Sequence, residues 1–181
     1  MATADRIRAA RAQWTFRGQH RPAFAHEPGA DQVSVWDFPR PPALREVNGS
    51  IEVRRGDVVV ARSERGLMVC ETAHPPTYYF PRVDVDQRLL QPAPGASFCE
   101  WKGAASYFDV LGGPPLARAA WTYEETFSEF QALQGFVAFM PTDLECFVDG
   151  ERARPQPGGF YGGWITARYA GPFKGEPGIS G

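Results

Sequence analysis

The stretch Ile51-Glu52-Val53-Arg54-Arg55-Gly56-Asp57-Val58-Val59-Val60-Ala61 decides the fold class. Its two β-branched segments flank Arg55-Gly56-Asp57, a short glycine-bearing connection of the kind that closes a hairpin. Downstream, Leu67-Met68-Val69-Cys70-Glu71 reads as a third strand, apolar enough for a central place in a sheet. Thr77-Tyr78-Tyr79-Phe80 is rich in strand formers but hemmed by Pro75, Pro76 and Pro81, which predicts an edge strand or a rigid loop. Ser97 to Gly103 and Ala105 to Val110 read as two strands turning at the glycine, and Ala117 to Tyr123 alternates as strands do. Phe136 to Met140 and Leu144 to Val148 follow. Asp149-Gly150 is the strongest hairpin signal, because both residues tolerate the positive φ of a tight primed turn. Phe127, Phe130 and Leu133 recur at three-residue spacing and predict one short amphipathic helix closed by Gly135. With 19 glycines and 17 prolines there is little room for longer ones. The sum is a mainly β fold of about eight short strands and one short helix.

At 181 residues and 43% hydrophobic content, the chain fits one domain with a real core. Residues 34–175 are expected to form that single mostly β domain and 176–181 a C-terminal tail. Residues 1–33 read as an N-terminal extension and linker, broken at Pro22, Pro28 and Gly29. The arginine-rich Ala4–Phe16 segment suits a helical extension, frayed or docked, as well as a transit peptide. A net charge of −2 gives no field that would draw the protein onto nucleic acid or an acidic membrane. No apolar run approaches the roughly 20 residues of a bilayer span. Cys70, Cys99 and Cys146 are too few and too scattered for a disulfide scaffold, so reduced thiols in a cytoplasmic protein are expected.

Several motifs in order carry a family resemblance: Glu71-Thr72-Ala73-His74-Pro75-Pro76-Thr77-Tyr78-Tyr79, Trp101-Lys102-Gly103, Ala120-Trp121-Thr122-Tyr123, Val148-Asp149-Gly150-Glu151, and Gly158-Gly159-Phe160-Tyr161-Gly162-Gly163-Trp164-Ile165-Thr166. From Ser34 to Gly175 the chain resembles the bacterial family called domain of unknown function 427. That resemblance implies a compact β-tent-like body or small sandwich, and a nucleotidyltransferase-like label to which no demonstrated activity is attached. Related β-tent domains often hold zinc between two Cys-x-x-Cys knuckles, and this sequence has neither knuckle.

Four constellations could carry chemistry. Glu71 and His74 stand at the exit of a strand, with the phenols of Tyr78 and Tyr79 after a rigid proline pair. His74 is the side chain best suited to proton transfer near neutral pH, or else it braces a loop while Glu71 pairs with an arginine. Trp101-Lys102-Gly103 sets an aromatic plane beside one of the two lysines, the other being Lys174. Lys102 suits a phosphate or carboxylate, or is a surface lysine after a core tryptophan. Trp101, Trp121 and Trp164 form an aromatic cage if they converge and are ordinary core residues if they do not. From Arg154 to Trp164, two Gly-Gly pairs bracket Phe160-Tyr161, as a loop covering a ligand or a tight strand crossing would require. No phosphate loop or Rossmann glycine pattern is present. Asp84-Val85-Asp86 places two carboxylates on one side of an extended segment, as two-metal nucleotidyl transfer requires, though a solvated acidic loop looks the same.

The sequence therefore points to a small planar or phosphorylated molecule as partner, not to nucleic acid or membrane. His74, Glu71 and Lys102 are the candidate catalytic groups. Tyr78, Tyr79, Trp101, Trp121, Tyr161, Trp164 and Arg154 are the candidate ligand-binding ones. No cofactor is implied, except Mg²⁺ if the chain is a nucleotidyltransferase. The other alternative is a protein–protein interaction module. Whether the domain is an enzyme, and its oligomeric state, stay open at this level.

Overall fold

The hairpin at Ile51–Ala61 is present in the structure, a computed structural model that describes residues 3–179. One α-helix, α1 (Thr3–Ala12), precedes the strands β1 (Val33–Ser34), β2 (Ala43–Glu46), β3 (Ile51–Arg55), β4 (Val58–Ser63), β5 (Leu67–Cys70), β6 (Thr77–Phe80), β7 (Leu90–Cys99), β8 (Gly103–Val110), β9 (Leu116–Thr122), β10 (Val137–Phe139), β11 (Glu145–Val148), β12 (Glu151–Arg152), β13 (Arg154–Pro155), β14 (Trp164–Ile165) and β15 (Tyr169–Ala170). The fold is mainly β. It has more strands than the turn signals suggested, because several are two-residue pairings with no signature of their own.

Seven strands form one sheet in the order β2-β5-β6-β10-β9-β8-β7, and four form a second in the order β12-β11-β3-β4. Asp149 at φ 49° and Gly150 at φ 80° make the tight turn between β11 and β12. Strand β6 lies inside the larger sheet, paired with β5 and β10, and so is neither an edge nor a loop. The prolines flank it without entering it, which leaves every N–H of Thr77–Phe80 free to join the ladder. Prolines do enter β7, at Pro92 and Pro94, and there the strand is the sheet edge, with a register shift between Ala93 and Ala96.

The larger sheet has two unlike faces. Tyr78, Phe80, Ala120 and Phe139 point toward the smaller sheet and share a core with Ile51, Val53, Val60, Cys146 and Trp164. Val69, Tyr79, Trp121 and Ala138 point the other way and pack with Trp101, Tyr123, Phe130 and Leu133. The period-2 alternation of strands separates neighbours such as Tyr78 and Tyr79 onto opposite faces.

The helix expected before Gly135 is instead a six-residue 3₁₀ segment, Ser128–Leu133, interrupted at Phe130, whose φ of −117° is not helical. Its apolar spacing still serves burial, since Phe130 and Leu133 are both inside. The α-helix lies in the N-terminal extension, and that extension packs against the body. The Phe16 and Phe24 rings meet Trp36 edge-on at 5.3 and 5.1 Å. Parallel pairing of β1 with β15 then ties residues 33–34 to the C-terminal part. No helix among the described residues is long and apolar enough to cross a membrane.

Candidate functional site

The face of the larger sheet opposite the main core floors a cavity of about 280 Å³. Strand β5 ends at Cys70, so Glu71 and His74 stand just beyond the sheet, and β6 returns with Tyr79 on the cavity side. The β7–β8 turn brings Cys99, Glu100, Trp101 and Lys102 to one wall, and β9 contributes Trp121. Trp14, Gln156, Tyr161 and Lys174 close the remainder from both ends of the chain.

The charges in this wall differ in how they are satisfied. Glu71 accepts a 3.0 Å ion pair from Nε of Arg40, whose side chain is completely buried and also donates to the carbonyls of Phe16 and Thr72. Burial pushes the Glu71 carboxyl up, but the positive charge of a protonated His74, of Lys102 and of Arg40 outweighs it and holds the group below the usual carboxylate range. Glu100 accepts a 2.9 Å hydrogen bond from the indole of Trp14. Both carboxylates in the wall therefore have partners.

The ammonium groups of the two lysines, by contrast, meet rings: among the described residues neither forms an ion pair or donates a hydrogen bond. Nζ of Lys102 lies 5.8 Å from the Tyr123 ring centre. Nζ of Lys174 lies 3.9 Å from Trp14 and 5.6 Å from Tyr161. Burial pulls the Lys102 ammonium down, but the negative charge that its neighbours can carry, the Glu71 carboxylate included, outweighs that and leaves it well above the ordinary lysine value. Lys174, buried and next to Arg40, is pulled below the ordinary lysine value. Tyr79 and Tyr123 are raised, chiefly by burial, and keep their protons.

Gln156 fixes the tautomer of His74. Its amide nitrogen is 2.9 Å from the carbonyl of Lys174 and 2.9 Å from Nδ1 of His74. A carbonyl can only accept, so the group facing it is the NH₂, and that NH₂ gives its second hydrogen to Nδ1. The ring proton is left on Nε2. Burial drops the imidazole to about 4, so it is neutral at pH 7. The ring also stands edge-on to Tyr161 at 4.8 Å. A neutral imidazole that far below neutrality is a better hydrogen-bond donor through Nε2 than a proton shuttle at pH 7.

The structure thus brings Glu71, His74, Tyr79, Trp101, Lys102, Trp121 and Tyr161 to one cavity. It places Tyr78 and Trp164 elsewhere, 4.9 Å apart inside the main core, with the Trp164 indole bonded to the carbonyl of Phe139. Trp164 therefore does not join Trp101 and Trp121. Arg154 is exposed on β13. Asp84 is held by Ser63 and Arg65, Asp86 by Arg88, and neither lines the cavity. The last Gly-Gly pair is a packing device, since a Cβ on Gly162 would run into the Trp121 ring and one on Gly163 into Gln156 and Pro75. Trp14, Cys99, Gln156 and Lys174 are cavity residues that the motifs did not single out, and Tyr123 stands in a quoted motif without having been read as a site residue. The one signal for Lys174 was that it is half of the lysine complement.

Residues 43–151 match the family model described as domain of unknown function DUF427, short name NTP_transf_9. The chain belongs to this family. No curated protein matches it. The matched part of the DUF427 domain supplies the cavity floor and the Glu71, His74 and Lys102 walls. Trp14, Gln156, Tyr161 and Lys174 come from outside the matched residues.

Proposed function

We propose that this DUF427 domain binds a small planar molecule carrying an acidic group, a carboxylate or a phosphate. One observation carries the reading: two ammonium groups that form no ion pair among the described residues share an aromatic-walled cavity whose two carboxylates already accept from Arg40 and from Trp14. Lys102 and Lys174 are the anchors for the acidic group, as point charges. Nε2–H of His74 and the phenols of Tyr79 and Tyr123 offer neutral donors, and Trp101, Trp121 and Tyr161 give flat apolar area for a ring. At about 280 Å³ the space suits one ring system with a short substituent.

Nucleotidyl transfer, suggested by the family's short name, draws no support from the acidic pair, because Asp84 and Asp86 are engaged by Ser63, Arg65 and Arg88 away from the cavity. A partner-binding face would place the aromatic residues on an open surface, and here they converge on a concavity.

Thermal shift with aromatic carboxylates and nucleoside monophosphates, each beside its neutral analogue, tests the proposal. The acidic members should stabilise the protein by about 2.7 kcal/mol at 100 times their dissociation constant. Lys102→Met and Lys174→Met should each weaken binding by about tenfold or more with little change in unliganded melting. Equal responses to acidic and neutral analogues, or none to any acid, would remove the basis for an anion site.

A further inference from the structure

Residues 3–17 look detachable in sequence, yet Trp14 forms part of the cavity wall. None of residues 4–20 is buried, and a ten-residue helix such as α1 does not persist alone. Apart from the Phe16 ring against Trp36, what fixes the segment is a handful of contacts that end on groups lining or backing the cavity. Nε of Arg11 donates to the carbonyl of Glu100 at 2.7 Å, and its guanidinium lies 5.1 Å from both the Trp101 and Phe127 rings. The Trp14 indole donates to Glu100, and Arg40 donates to the carbonyl of Phe16. Arg40 and Lys174 approach the same Trp14 ring at 4.2 and 3.9 Å.

Of that pair only Arg40 forms an ion pair, with Glu71; Lys174 forms none among the described residues, and the second negative charge nearby, Glu100, is held on the indole nitrogen instead. An anion arriving at Lys174 gives that ammonium a direct ionic partner, and the indole is placed to cover its planar part. We propose that Trp14 is a ligand-binding residue carried on a movable strap: residues 3–17 close the cavity over Lys174 and detach to admit or release ligand. This builds on the anion-binding reading above, and it makes ligand occupancy and strap docking mutually reinforcing, as linkage demands.

The test needs no ligand, so its failure is separate from failure of that reading. Cys99 is half-buried in the cavity wall, whereas Cys70 and Cys146 are buried. Alkylation by N-ethylmaleimide, a neutral probe, followed by peptide mapping, therefore reports access to the cavity through Cys99. Trp14→Ala, and separately Arg11→Ala, which detaches the strap from outside the cavity, should speed Cys99 labelling by about tenfold, with amide exchange in residues 3–17 rising in parallel. Wild-type labelling rates in two variants whose strap amides exchange freely would overturn the proposal. So would a wild-type strap without exchange protection.

Discussion

Arg40 and Glu71 meet at 3.0 Å with the guanidinium wholly buried, so removing either half alone leaves an uncompensated charge in a desolvated place. Arg40→Met should therefore cost about 3–5 kcal/mol, whereas the double variant Arg40→Met/Glu71→Gln should cost less than the two single changes added together. Urea denaturation of the four proteins gives that coupling directly. His74 supplies a pH dependence with a definite sign. Its folded value of about 4 lies below the ordinary 6.5, so between those values the unfolded chain binds the extra proton. Stability is then full above about pH 6.5 and falls as the pH drops toward 4, by roughly 2–3 kcal/mol for this one group. Glu71, also held low, adds loss of the same sign at the acid end. His74→Gln should flatten the slope of the urea midpoint between pH 6.5 and 4 and leave the carboxylate part at lower pH; an unchanged slope would mean that the imidazole titrates normally.

At the scale of elements, the two Gly-Gly pairs near Phe160 have opposite physics. Gly159 has φ 68° with open space around it, while Gly162 sits so close to Trp121 that a methyl group collides with the ring. Gly159→Ala should cost about 1 kcal/mol from backbone conformation alone. Gly162→Ala should cost about 1–3 kcal/mol through overpacking, and should also weaken ligand binding by pushing Trp121 into the cavity. Thermal melts with and without ligand separate the two effects. What the sequence disclosed follows the same division. Strands with period-2 patterning and the Asp149-Gly150 turn were legible because their causes are local. So was the clustering of chemistry near Glu71, His74, Trp101 and Lys102, since strand exits and turns are where such residues become free of the ladder. The same alternation implies that Tyr78 and Tyr79 cannot share a site, and the buried position of Tyr78 follows from it. Gln156, Lys174 and Trp14 were not legible as site residues. Each acts through contacts across long stretches of chain, Gln156 with His74 and Trp14 with Glu100, and no local period encodes such a meeting.

For the whole molecule, the matched residues 43–151 hold both large sheets, save Arg152 of the edge strand β12, but not all of their core. Trp164 is fully buried between Tyr78 and Phe80 and donates to the carbonyl of Phe139, although it lies beyond the matched stretch. A third apolar cluster is built from Val35, Trp36 and Phe38 on one side of that stretch and Ile165, Tyr169 and Phe173 on the other, closing over Cys70 and Ala73. Removing both flanks would expose the Trp164 slot and uncover the exit of β5, from which Glu71 and His74 are presented. Deleting one buried tryptophan side chain alone costs about 3–5 kcal/mol, a large share of the roughly 5–15 kcal/mol that a domain of this size possesses. A fragment of residues 43–151 should therefore lack a cooperative thermal transition and bind a hydrophobic dye, while residues 3–175 should melt as one unit close to the full chain. Circular dichroism melts decide between these outcomes: a sharp transition in the short fragment would show that the flanks decorate a self-sufficient domain, and its absence would show that the segments completing the cavity also complete the fold.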